Sequence, residues 1–275
     1  MTDKGPILVA TDLSARADRA IDRGARLARE TGRQLAVLHV VSHAEADDAS
    51  YTALEQRVEA VLPENVPDCR IVIREGDATY QIGRAVEEEN AWCLVIGVAR
   101  YNSVGDYFLG TAVDHTLRHT DNPVLVIKQR ATKNYSDIVI ATDFSPRSKH
   151  ALEQGAAMFP DARLHLVHAY SIPFESWQNA EYVQEEVRAD AQKKLDEFAA
   201  GLDISDAMRS RMTTKLLKGS PHRAISREVQ EYGAGLVIIG SHGHSGLRQT
   251  LLGSTTSDLL RSLPVDTLVI RVAKN

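Results

Sequence analysis

Ile7-Leu8-Val9-Ala10-Thr11-Asp12-Leu13-Ser14 returns, with conservative changes, as Ile138-Val139-Ile140-Ala141-Thr142-Asp143-Phe144-Ser145. Each copy opens on consecutive apolar residues and ends on Thr-Asp-x-Ser. Apolar residues at every position, rather than at alternate ones, mark a strand buried on both faces, the situation inside a parallel sheet covered by helices. Working outward, the rest of the chain repeats in the same order. Val37-Leu38-His39-Val40 matches Leu166-Val167-His168-Ala169, and Glu75-Gly76-Asp77 matches Lys218-Gly219-Ser220. Cys93 to Gly97 matches Leu236 to Gly240, and Pro123 to Ile127 matches Pro264 to Ile270. The second copy is the longer, and its extra residues fall in a helical stretch, Glu175 to Ala200.

Helices fit between the strands. Ala15 to Thr31 places Ala17, Ile21, Ala25 and Ala28 on one face, and Gly32 stops it. Ala53 to Leu62, Thr79 to Glu89 and Val113 to His119 read as further helices, with Asp77 capping the second of these. Ser220 with Pro221 starts the matching helix of the second copy, and Thr256 to Ser262 is the last. His43 to Asp48 reads as a polar connection. The fold class is therefore α/β. It comprises two tandem flavodoxin-like or Rossmann-like domains, 1–130 and 135–275, each an open five-stranded parallel sheet with helices on both faces. The apolar segments Val124–Ile127 and Thr267–Ile270 are edge strands that can pair with each other, hiding both edges in an internal pseudo-dimer.

In such sheets a ligand sits beyond the strand C-termini, where the strand order switches. Asp12 and Asp143, His39 and His168, and Gly97 and Gly240 all fall at that end. The stretch Gly240-Ser241-His242-Gly243-His244-Ser245-Gly246 through Gly253-Ser254-Thr255 leaves a strand and enters a helix. It is longer than the ~2–6 residues usual for such loops. Glycine allows close backbone approach, and free N–H groups at a helix start attract anions. Phosphate is one reading; a flexible glycine-serine turn is the other.

Composition narrows the classes. The 275 residues carry a formal net charge of −5, against a nucleic-acid-binding surface. No apolar run approaches the ~20 residues that span a bilayer, and the opening residues lack an apolar signal segment, so a cytoplasmic protein with no membrane partner is expected. Two cysteines, Cys69 and Cys93, read as core residues rather than a disulfide framework.

The Ala141-Thr142-Asp143-x-Ser145 opening, combined with Gly240-x2-Gly243-x9-Gly253-Ser254, resembles the universal stress protein family, and the whole chain is similar to a tandem member. The second motif is that family's ATP-binding signature. The resemblance implies ATP, AMP or ADP in the second domain, with Mg2+ arriving on the phosphates. It places Asp143 on the ribose, the Ala169 backbone on adenine, and Gly240, Gly243, Gly253, Ser254 and Thr255 on the phosphates. Ala141, Thr142, Ser145, Ile239, His242 and His244 complete the implied site. The first copy departs from the signature: Arg100 replaces the second glycine, Ala112 and Val113 replace hydroxyl residues, and Tyr101, Tyr107 and Phe108 add bulk. A weak or absent nucleotide site is expected there.

Other readings stay open. No Gly-x4-Gly-Lys-Ser/Thr run occurs, so the usual phosphate lysine is missing and at most slow ATP hydrolysis is expected. His242 and His244 lack a full metal-ligand set, so no metal site of their own is expected. Asp143 reads equally as a helix cap. A ligand-free module that docks an unidentified protein partner, as a monomer or homodimer, is the remaining alternative.

Overall fold

The computed structural model describes residues 5–48, 50–64, 66, 68–103, 106–172, 181–241 and 252–272. The chain divides into two compact units, Met1–Asn134 with Leu260–Asn275, and Tyr135–Leu259.

In the first unit the order is β1 (Ile7–Thr11), α1 (Asp18–Thr31), β2 (Leu35–Val41), α2 (His43–Asp48), α3 (Tyr51–Glu59), β3 (Cys69–Glu75), α4 (Ala78–Glu88) and β4 (Cys93–Gly97). A hairpin of β5 (Arg100–Ser103) and β6 (Asp106–Phe108) follows, then α5 (Thr111–His119) and β7 (Val124–Ile127). The second unit runs β8 (Asp137–Ala141), α6 (Pro146–Met158), β9 (Arg163–Tyr170), α7 (Glu181–Ala200), α8 (Asp206–Arg209), β10 (Thr213–Lys218), α9 (Pro221–Tyr232) and β11 (Leu236–Gly240), and it ends within α10 (Ser254–Ser262), at Leu259. The last strand, β12 (Asp266–Ile270), belongs to the first unit.

The first sheet has the order β3-β2-β1-β4-β7-β12, in which the first five strands are parallel and β12 pairs antiparallel with β7, Leu268 opposite Leu125. The expected pairing of the two late apolar segments is thus present. The second unit carries the parallel strands β10-β9-β8-β11. Both β1 and β8 are central, with their sequence-next strand on one side and the strand after a further crossover on the other. This is the switch point at which a crevice opens.

The buried runs are where the apolar sequence put them: Ile7, Leu8 and Val9, like Ile138, Val139 and Ile140, have no exposed surface. In each unit a helix comes very close to the sheet, over β1 in the first and over β11 in the second. A Cβ on Gly24 of α1 would lie 2.2 Å from Val9 Cγ2, and one on Gly155 of α6 would lie 2.5 Å from Ile238 Cδ1. These two glycines occupy matching positions in the two copies, so the close helix–sheet approach is itself repeated.

Several local readings change. His43–Asp48 is a helix, not a polar connection: Ser42 and Glu45 form a reciprocal capping box, Glu45 Oε2 accepting from Ser42 N and Glu45 N donating to Ser42 Oγ. The segment after β4 folds as the β5–β6 hairpin rather than as an open loop. Asp77 caps α4 as expected, accepting from Tyr80 N at 3.1 Å, whereas Ser220 sits at the start of α9 without a side-chain cap bond. The long helix is described from Glu181 onward; residues 175–180 of the expected span lie outside the described residues. Cys93 is buried and Cys69 half-buried, both as free thiols.

A buried charged cluster fastens β12 into the first unit. Asp266, with no exposed surface, accepts through Oδ1 from the backbone N–H groups of Lys128 (2.7 Å) and Gln129 (2.9 Å). Its other oxygen lies 3.6 Å from Arg23 Nε of α1. The buried Lys128 ammonium donates to Leu263 O (2.9 Å) and Thr267 Oγ1 (3.3 Å). Arg19 Nη1 donates to Lys128 O, and Arg23 Nη1 to Lys133 O. Burial pushes the Lys128 pKa down to about 7, with Asp266 opposing the shift.

Candidate functional site

In both units the strand-to-helix turn after the central strand has the same construction. Thr142 Oγ1 accepts from Phe144 N, and Asp143 Oδ1 accepts from Ser145 N, each at 3.0 Å. The first unit repeats both bonds, Thr11 Oγ1 from Leu13 N and Asp12 Oδ1 from Ser14 N. Phe144 and Leu13 adopt positive φ, 64° and 58°. Bulky residues rarely do so, and such strain is kept where the surroundings over-determine it. The two side-chain bonds in each turn supply part of that constraint.

Ser145 is only 2% exposed. Its hydroxyl accepts from Ser148 N at 3.1 Å, so Ser145, rather than Asp143, is the N-cap of α6. The Ser148 hydroxyl donates to Ser145 O (2.9 Å) and so receives the proton of Thr142 Oγ1 (3.0 Å). Thr142 is therefore occupied in holding the turn.

His168 sits on β9 beside this turn. Its Nδ1 lies 2.8 Å from Thr142 O, which can only accept, so Nδ1 carries the hydrogen. Its ring stacks on Phe144 with centroids 4.0 Å apart. Burial lowers its pKa, while the Thr142 carbonyl and Asp143 pull the other way. His39 makes the matching bond to Thr11 O at 3.0 Å, and its Nε2 is buried without a hydrogen-bond partner.

The far side of the crevice comes from α10. Gly253 N donates to Ser241 O (3.0 Å), and Thr256 Oγ1 donates to Gly240 O (2.9 Å), which fastens the helix start to the end of β11. Ser254 and Thr255 are exposed on the first turn, where backbone N–H groups and the helix dipole favour an anion.

These pieces enclose a cavity of about 380 Å³ in the second unit. Of the expected site residues, Ala141, Thr142, Asp143, Ala169, Ile239, Gly240, Gly253, Ser254 and Thr255 line it. Ser145 is not among the lining residues. His242, Gly243 and His244 lie outside the described residues. Pro221 and Ile225 of α9 also form wall. Sequence reading did not assign them to the site, although the apolar face of α9 behind Pro221 was a usable signal. Among the described residues no cluster of three or more His, Cys, Asp or Glu side chains is placed to hold a metal ion. A divalent cation here would have to rely on ligand oxygens. Likewise, no helix among the described residues is long and apolar enough to cross a membrane.

The first unit has its own cavity of about 300 Å³ at the matching place. Asp12, Val40, Gly97, Gly110 and Thr111 line it, together with apolar wall from Ile82, Val98 and Leu109. The side chain of Arg100 is outside the described residues.

Comparison with known proteins agrees with this architecture. The sequence model of the universal stress protein family matches residues 5–128 and again 134–271. Universal stress protein A homolog 2 of Coxiella burnetii is 31% identical over 150 residues, covering 50% of this chain and 97% of that protein. A universal stress protein of Mycolicibacterium smegmatis is 23% identical over 293 residues, covering 96% of each chain. Among solved structures, a universal stress protein from Archaeoglobus fulgidus superposes with a TM-score of 0.69 at 20% identity, covering 98% of this chain and 99% of that one. With the family's domain matched twice in succession, the chain belongs to the universal stress protein family as a tandem member.

Proposed function

We propose that the second unit binds an adenine nucleotide, ATP or AMP, and that the protein is a nucleotide-dependent stress-response module. The observation that carries this reading is convergence. One cavity brings together a carboxylate suited to ribose hydroxyls (Asp143), strand-end backbone at Ala169 suited to a base edge, and the glycine-bounded start of α10 suited to phosphates. Its volume falls within the range of small-molecule sites. With no phosphate lysine in a Walker arrangement, the charge of the phosphates is met by backbone N–H groups, the Ser254 and Thr255 hydroxyls, and Mg2+ held through phosphate oxygens. Binding rather than turnover is the function, and the nucleotide-bound state offers the signal to a protein partner in the cytoplasm.

Calorimetric titration of Mg-ATP into the wild-type chain and into Asp143→Asn tests this. The amide keeps the oxygen that receives Ser145 N but loses the charge that a ribose hydroxyl would meet. Hydrogen bonds to charged groups contribute ~1.5–3 kcal/mol, so affinity should fall by about tenfold or more. Equal affinity in the two proteins would remove Asp143 from the site, and no binding by nucleotide-stripped wild type would end the proposal.

A further inference from the structure

We propose that Thr213, His165 and Asp137 form a nucleophilic site that takes an acyl group from an activated ester. The site lies at the strand starts of the second unit, the end opposite the crevice, and does not depend on the nucleotide reading. Thr213 opens β10 and stands directly opposite His165 of β9, while Asp137 opens the neighbouring β8. The protons along this row run in one direction. Arg163 donates to Asp137 from Nε (2.8 Å) and Nη2 (2.6 Å), and Ser136 Oγ donates at 3.0 Å. The Arg163 guanidinium above all holds the Asp137 carboxyl well below the usual carboxylate range. An ionised carboxylate only accepts, so His165 Nε2, 3.0 Å from Asp137 Oδ1, carries a hydrogen. In the neutral ring Nδ1 is then the bare nitrogen, and Thr213 Oγ1, 2.8 Å away, gives its proton to it.

Burial is graded along the same row. Asp137 is 8% and His165 5% exposed, whereas Thr213 is exposed. Tyr232 of α9 stacks on the His165 ring with centroids 3.5 Å apart and planes at 8°, which fixes the imidazole. A surface hydroxyl, an imidazole placed to take its proton and a carboxylate that sets the tautomer are the roles by which a nucleophile triad is recognised. The sheet itself does not require them. In the first unit the matching positions are Pro6, Ala36 and Arg70, and Arg70 pairs there with Glu89, the match of Tyr232. Among the described residues β10 ends the sheet, and an edge strand leaves backbone N–H groups free to meet a carbonyl oxygen. In the reaction Thr213 Oγ1 attacks the ester carbonyl carbon. The Oγ1–C bond forms and the bond to the leaving oxygen breaks. The hydroxyl proton passes to His165 Nδ1 and from there to the departing oxygen. Asp137 is a positioning residue, acting through the imidazole.

The test is brief treatment of the full chain with p-nitrophenyl acetate, followed by peptide mass spectrometry. Thr214, the next residue of β10, is also exposed but belongs to the other face, so it is an internal control that needs no variant. Thr213 should be acetylated at least ~100-fold faster than Thr214, the lower end of what a positioned general base contributes. His165→Gln should remove that difference, and Thr213→Ser should keep it. Nitrogen NMR of the histidine rings should find the His165 hydrogen on Nε2, and Asp137→Asn should shift this tautomer and slow acetylation of Thr213 together. Equal acetylation of Thr213 and Thr214 in the wild type would overturn the proposal. So would a His165 hydrogen on Nδ1, or a Thr213 rate unchanged in folded His165→Gln.

Discussion

Replacing Lys128 by methionine should change how stability depends on pH, and the structure sets both the sign and the size. The Lys128 ammonium is buried, with its protons on Leu263 O and Thr267 Oγ1, and its folded pKa is pushed down to about 7 from an ordinary 10.5. Below about pH 7 the lysine is protonated in both the folded and unfolded states, and the cost of burying its charge is borne in full. Above that pH the folded lysine releases its proton while the unfolded one keeps it to about 10.5. The unfolded state then binds more protons, so stability rises with pH, approaching ~1.4 kcal/mol per unit. Integrated from about pH 6 to about pH 9, the wild type should gain on the order of 3 kcal/mol relative to Lys128→Met, whose side chain does not titrate. Other titrating groups cancel in the difference. Urea unfolding followed by circular dichroism at several pH values measures it, and the gap between the two midpoints should move by on the order of 1 M. Wild-type and variant curves that stay parallel across this range would refute the argument and leave Lys128 an ordinarily charged residue.

Further outcomes follow from other contacts. Ser145→Ala removes the α6 cap and should cost about 1 kcal/mol of stability while leaving nucleotide affinity unchanged, as titration of the folded variant would show. Gly155→Ala places a methyl 2.5 Å from Ile238 Cδ1 and should destabilise by about 1–3 kcal/mol in the same urea assay. Burial pushes the Cys93 thiol up to about 12, so in the native protein it should resist alkylation at neutral pH and react only on unfolding; mass spectrometry after brief labelling would count it.

The repeat and its consecutive apolar strands were legible in the sequence because a strand buried on both faces leaves a simple mark. So were the turn carboxylates, Asp12 and Asp143, since they sit at fixed distance from such a strand. The β5–β6 hairpin was not legible: its strands are three and four residues long, too short for a period, and glycine loss at Arg100 reads as crowding rather than as a change of backbone state. The helix at His43–Asp48 was missed for a similar reason, although Ser42-x-x-Glu45 carried a capping box in plain view. Ser145 illustrates the converse. A hydroxyl beside a ligand motif invites a binding role, whereas its side chain is already engaged by Ser148 N. The buried cluster of Arg23, Lys128 and Asp266 lies beyond any pattern reading, since its members are far apart in sequence and become neighbours only when the chain has folded back on itself.

That distance has a consequence for how the protein is made. Lys128 N and the carboxylate that receives it are 138 residues apart, and the strand bearing that carboxylate follows every strand of the second unit. During synthesis the first half leaves the ribosome with β7 lacking its antiparallel neighbour, and it waits in that condition while the whole second repeat is translated. The half that is born first is therefore finished last. In the interval its outermost strand is open to the same strand on another nascent copy, which makes the pace of elongation part of what decides between folding and entanglement.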